Sequence, residues 1–165
     1  MPAMILDHMH WVQLEQVQQA IDHQVAFQSD QDHFGVAEYW EPADKTGDCE
    51  DIALAKRARL IALGWQADDL RIAVVADERG GLHAVLTVDV TSQKGTPATY
   101  VMDSRMLHVE PWKTMETYGY LFMERVQPGS DKWRRLDDTD ALATRLIASL
   151  RANMPTSSPV GVERQ

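Results

Sequence analysis

Cysteine is almost absent from this chain: one thiol, Cys49, stands in 165 residues. A lone thiol forms no intramolecular disulfide and builds no zinc site from several thiolates. Basic charge is also scarce, with 16 Lys and Arg against 25 Asp and Glu and a net charge of −9. Phosphate recognition needs clustered cations, so no nucleic-acid partner is expected. The only local basic run, Lys56-Arg57 with Arg59, falls inside a helical pattern and reads as a solvated helix face. Long apolar runs are missing too. No stretch approaches the ~18 residues that span a bilayer, so no membrane insertion is expected. The start, MPAMILDHMHW, has neither a basic n-region nor an apolar h-region. The expected location for the chain as written is cytoplasmic. A chain trimmed of an export leader would look the same and would be periplasmic.

What is present suits one globular domain. The apolar content is 44%, and the length allows one sizeable core. A domain over residues 1–154 is expected, followed by a Ser-, Pro- and Gly-rich disordered tail at 155–165. Leu14, Val17, Ile21 and Val25 recur at helical spacing, predicting a helix from His8 to Phe27. The polar stretch SDQDHFG reads as a break, and Val36 to Trp40 as an extended approach to Pro42. A second helix is predicted from Asp48 or Cys49 to Leu63, bounded by Gly47 and Gly64. Apolar residues on more than one of its faces predict a central position. Leu70 to Ala76, Leu82 to Val90 and Thr99 to Met102 then read as strands of an antiparallel meander, with a turn at 77–81. Along the second strand Leu82, Ala84, Leu86, Val88 and Val90 share one face, and His83, Val85, Thr87 and Asp89 the other. Tyr118 to Val126 is a further candidate strand, and Thr139 to Ala152 a candidate helix.

The segment Gly47-Asp48-Cys49-Glu50-Asp51 opens the second helix. A cysteine there feels the positive end of the helix dipole, which favours the nucleophilic thiolate. His83 follows a glycine turn onto a strand, and Asp103 ends the next one. Neighbouring antiparallel strands would set them side by side, His83 as base and Asp103 fixing its tautomer. Spacing alone leaves this open, because six histidines and many aspartates offer other trios.

The stretches GDCEDIALAKRARLIALGW, LHAVLTVDV and YVMDS resemble the bacterial transglutaminase-like cysteine peptidases. That family includes the periplasmic protease that clips biofilm adhesins. Its pattern is Gly-Asp-Cys-Glu-Asp opening a helix, then His-Ala-Val-Leu, then an aspartate ending a strand. Glu38-Tyr39-Trp40 with Pro42 is similar to its lead-in. The resemblance spans roughly 16–126 and implies an α+β, papain/transglutaminase-like fold, with an antiparallel sheet packed on the Cys-bearing helix. It implies a catalytic triad of Cys49, His83 and Asp103, and a protein substrate cut through a thioester. Transglutaminase- or deamidase-type acyl transfer by the same triad, and a non-catalytic binding module, are the alternatives. Ile52 stands where the family often has an aromatic residue, and Ser104 where asparagine is usual.

Asp48, Glu50 and Asp51 have an ordinary reading as a helix cap and first-turn acids. Calcium, which takes hard carboxylate oxygens, is the rival reading. The family's biofilm protease binds calcium at the acids flanking its cysteine, which implies Asp48 and Glu50 here, with Asp51 as a third candidate. Trp40 is read as a core anchor or a substrate platform, and Trp112 and Trp133 as packing residues. His8, His10, His23, His33 and His108 form no metal motif and are read as solvated.

Overall fold

The computed structural model describes residues 2–36 and 45–136, with side chains described at 2–24 and 49–136. The lead-in at Tyr39, Trp40 and Pro42, the candidate helix at 139–152 and the tail at 155–165 lie outside the described residues.

Helix α1 is His8–Val36 and runs through the stretch expected to break it. Ser, Asp and Gln each weaken a helix by only ~0.7 kcal/mol or less, and no proline intervenes before Pro42. Helix α2, Lys45–Ala62, starts earlier than expected, so Cys49 lies one turn inside rather than at the first position. Gly47 in that first turn costs about 1 kcal/mol, an amount that packing overrides. The far end is as predicted. Gly64 takes φ 102°, its N–H donates to Ile61 O at 3.0 Å, and Trp65 N–H donates to Leu60 O at 3.0 Å. This is a Schellman stop, completed by the apolar pair Leu60 and Trp65 in one core cluster.

The strands are β1 (Leu70–Ala76), β2 (Leu82–Thr91), β3 (Pro97–Met102), β4 (Glu110–Pro111), β5 (Leu121–Val126) and β6 (Trp133–Arg135). They form one antiparallel sheet in the order β4-β3-β2-β1-β5-β6. A short helix α3, Trp112–Thr117, precedes β5 and takes residues just before the expected strand. The fold is α+β, as the resemblance implied.

The two faces of β2 divide as its alternation predicts. Ala84, Leu86, Val88 and Val90 pack with Leu14, Val17 and Ile21 of α1 and Ala53 and Leu60 of α2. Val85 packs on the opposite face with Ala73, Val75, Val101, Met115 and Phe122. Trp112 stacks on Phe122 at 3.8 Å, and Trp133 packs against the first cluster, so both are packing residues. Asp89, on the same side as Val85, pairs with Arg71 and Arg125.

One detail of register shapes the site. β3 ends with Met102 opposite Leu86, so residues 82–85 of β2 are paired only with β1. Asp103 follows at the point where the chain leaves the sheet. The notch left beside the start of β2 lies at the end of the sheet that carries His83.

Candidate active site

Cys49, on α2, is half-buried and carries a free thiol. His83, in the start of β2 that is paired only with β1, is buried, and Asp103 is fully buried. The structure brings the three together. His83 Nε2 lies 2.5 Å from Asp103 Oδ1. The thiol of Cys49 is in contact with the same ring. Since Nε2 is engaged by the carboxylate, Nδ1 is the nitrogen left for sulfur. One imidazole thus joins a nucleophile on a helix to a carboxylate at a strand end.

Asp103 is held from several sides. Its Oδ1 also accepts the Arg105 N–H at 2.9 Å, and its Oδ2 accepts the Tyr120 hydroxyl at 2.5 Å. Its carbonyl accepts Met106 N–H at 3.0 Å, closing a turn at 103–106. Tyr120 meets His83 edge-on, with ring centroids 6.4 Å apart. Arg105 donates to the Tyr120 oxygen at 3.1 Å and pairs with Glu78 of the β1–β2 turn at 2.5 Å. A tyrosine that donates its proton to a buried carboxylate favours the ionised form of that carboxylate.

The ionisation follows this geometry. Burial works against a charged imidazole at His83, but the hydrogen bonds and charges of Asp103 and Cys49 outweigh it and push its pKa up to about 9. Burial likewise opposes an ionised Asp103. Its bonds to His83, Arg105 and Tyr120 win, and its pKa is lowered. Burial and the bond to Asp103 raise the Tyr120 phenol, which stays protonated. At neutral pH the site therefore holds an imidazolium between the Cys49 sulfur and a carboxylate.

The acids around Cys49 are less uniform. Glu50 is buried and Asp51 is exposed, so these two do not face one space. The side chain of Asp48 lies outside the described residues. Among the described residues no group of three or more His, Cys, Asp or Glu gathers to hold an ion.

Among the other histidines, His8 is exposed. His10 is half-buried rather than solvated, bonded to Asp7 at 2.7 Å and edge-on to Trp65. His23 and His108 are exposed, and the side chain of His33 lies outside the described residues.

Lys56 corrects the sequence reading. It is not on a solvated face but fully buried, with its ammonium 2.8 Å from Asp22. The signal was present, since Lys56 falls three residues after Ala53 and four before Leu60, in their inward stripe. Gln18 was hidden in the same way, between Leu14 and Ile21. Tyr120 carried no signal, because its role depends on β5 lying two strands from β2.

The chain was compared with known proteins. Residues 1–141 match the profile of a family described as bacterial transglutaminase-like cysteine proteinase. No curated protein sequence matches. Among solved structures the fold is similar to Legionella pneumophila LapG, with TM-score 0.52 and 18% identity over 87% of this chain and 78% of that one. An EGTA-treated Legionella pneumophila LapG gives TM-score 0.51 at the same identity and coverage. No helix among the described residues is long and apolar enough to cross a membrane.

The raised pKa of His83 has a measurable consequence. Iodoacetate reads the imidazolium, because the anionic reagent is drawn to it while the thiolate attacks. Alkylation of Cys49, the only thiol, should fall on the alkaline side with a midpoint at about 9, as His83 loses its proton. A rate that instead rises through the ordinary thiol value of about 8.5 and stays high would mean that no imidazolium lies beside the sulfur.

Proposed function

The chain belongs to the bacterial transglutaminase-like cysteine proteinases, and on that premise we propose that Cys49, His83 and Asp103 are its catalytic triad. It is a cysteine peptidase and acts on protein substrates. The observation that carries the residue assignment is the one imidazole, His83, in contact with both the Cys49 thiol and the Asp103 carboxylate.

The chemistry follows from those positions. The Cys49 thiolate attacks the scissile carbonyl carbon and forms a C–S bond. The tetrahedral oxyanion collapses, the C–N bond breaks, and the His83 imidazolium gives its proton to the leaving amine. The product is a thioester on Cys49 and a neutral His83. His83 then takes a proton from water, and the hydroxide attacks the thioester. The acid leaves and the thiolate–imidazolium pair returns. Asp103 stays ionised throughout and holds the ring so that Nδ1 faces sulfur.

The proposal extends to calcium at the acids beside the nucleophile. Asp48 and Glu50 flank Cys49, and the buried Glu50 carboxylate is a hard oxygen donor of the kind calcium takes. Asp51 is exposed and does not face the space of Glu50, so it stands outside this set. A bound cation would supply positive charge beside an anionic sulfur. No step of the cleavage above passes through it.

Protein partners incubated with wild type and with Cys49→Ala, then compared by mass spectrometry, test the triad. New termini are expected only with wild type, while the far-UV spectrum of the variant is unchanged. His83→Ala should cost nearly as much as Cys49→Ala, since nucleophile and base act as a unit, and Asp103→Asn should cost less. Full cleavage by Cys49→Ala would end the proposal.

Calcium is tested by calorimetric titration into chelator-treated protein. Binding heat and a rise in melting temperature are expected in wild type, with both weakened in Asp48→Ala and Glu50→Ala. Absence of heat in wild type would overturn the calcium reading.

A further inference from the structure

A buried lysine is unusual. Taking an ammonium out of water costs several kcal/mol unless it is paired, and an apolar side chain of similar volume would pack as well. Lys56 is nonetheless fully buried on the nucleophile helix, seven residues after Cys49. Both of its partners are on α1. It pairs with Asp22 at 2.8 Å and donates to Gln18 Oε1 at 2.7 Å. Gln18 is itself fully buried. Its other end reaches the turn that carries the triad carboxylate: Nε2 donates to the carbonyls of Asp103 at 2.8 Å and Met106 at 2.7 Å.

The amide can face only one way. An ammonium has no acceptor and a carbonyl has no donor. Flipping Gln18 would set its NH2 against Lys56 and its oxygen against two carbonyls. The lysine therefore fixes the glutamine, and the glutamine fixes both ends of the turn at 103–106. Three elements distant in sequence are joined by two side chains.

We propose that Lys56 and Gln18 are positioning residues, a bridge from the nucleophile helix through α1 to the Asp103 turn that holds Asp103 against His83. The bridge reaches the site through Asp103, and the Lys56 charge is also felt by Cys49. Burial lowers the Lys56 pKa, and the charges of Asp22, Asp103 and Cys49 oppose that. Asp22 is thus the counter-ion and Gln18 the path. The inference rests on the assignment of Cys49, His83 and Asp103 as the site.

The test is an NMR titration of the His83 ring, assigned by the signal lost in His83→Ala. Lys56→Met and Gln18→Leu break the bridge from its two ends, and Gln18→Leu leaves the Lys56–Asp22 pair in place. Asp22→Asn removes the counter-ion but keeps the bridge. In wild type His83 should titrate at about 9. In Lys56→Met and Gln18→Leu the midpoint should fall toward the ordinary 6.5, as Asp103 loses its hold, while Asp22→Asn stays close to wild type. If both bridge variants melt earlier but titrate as wild type does, or if neither folds, the bridge serves the fold and the proposal is overturned. If Asp22→Asn shifts as far as Lys56→Met, charge rather than position is responsible, and the proposal is again overturned. A wild-type midpoint near 6.5 would be a different failure, that of the active-site assignment itself.

Discussion

The hydrogen bond between His83 and Asp103 is the constraint on which the site depends. It joins an imidazole and a carboxylate that are both closed to water. A buried pair of this kind holds only if both partners stay, since removing one leaves an uncompensated charge at a cost of about 3–5 kcal/mol. The fold meets the requirement by giving Asp103 more partners than the histidine. Tyr120 satisfies the second carboxylate oxygen, and the Arg105 N–H shares the first. These come from three places: the start of β2, the turn after β3, and the residue before β5.

The sheet makes that convergence available. β2 sits between β3 and β1, and β1 is flanked on its other side by β5. Val75 of β1 pairs with His83 on one side and with Phe122 on the other, so Tyr120 arrives close to the level of His83. Because β3 stops opposite Leu86, the start of β2 is free on the side where Asp103 turns away. The nucleophile helix packs on the Leu86 face, and its Cys49 contacts the imidazole. Sulfur and carboxylate thus meet one ring. That arrangement lets the ring pass a proton to the leaving amine without losing its orientation.

Much of this was legible in the chain. The alternation of β2, with Ala84, Leu86, Val88 and Val90 against His83, Val85 and Asp89, is a local property and survives folding unchanged. The Gly64 helix stop is equally local. The pentapeptide around Cys49, with His83 and Asp103 behind it, was legible only through resemblance, because spacing alone does not select one trio. What escaped depends on distant parts of the chain. β4 and β6 have two and three residues and carry no periodicity of their own. The extension of α1 past Phe27 turned on weak propensities that no proline opposed. Lys56 was misread because charge was taken as a sign of exposure, although its helical phase matched Ala53 and Leu60.

The central claim is that Asp103 holds His83 as a charged ring by a hydrogen bond sheltered from solvent. Proton NMR tests it most directly. A proton held between His83 Nε2 and Asp103 Oδ1 should resonate far downfield of the amide region at neutral pH, should exchange slowly with water, and should vanish in Asp103→Asn. A spectrum without that signal in the wild-type protein, or one that keeps it unchanged in Asp103→Asn, would contradict the account.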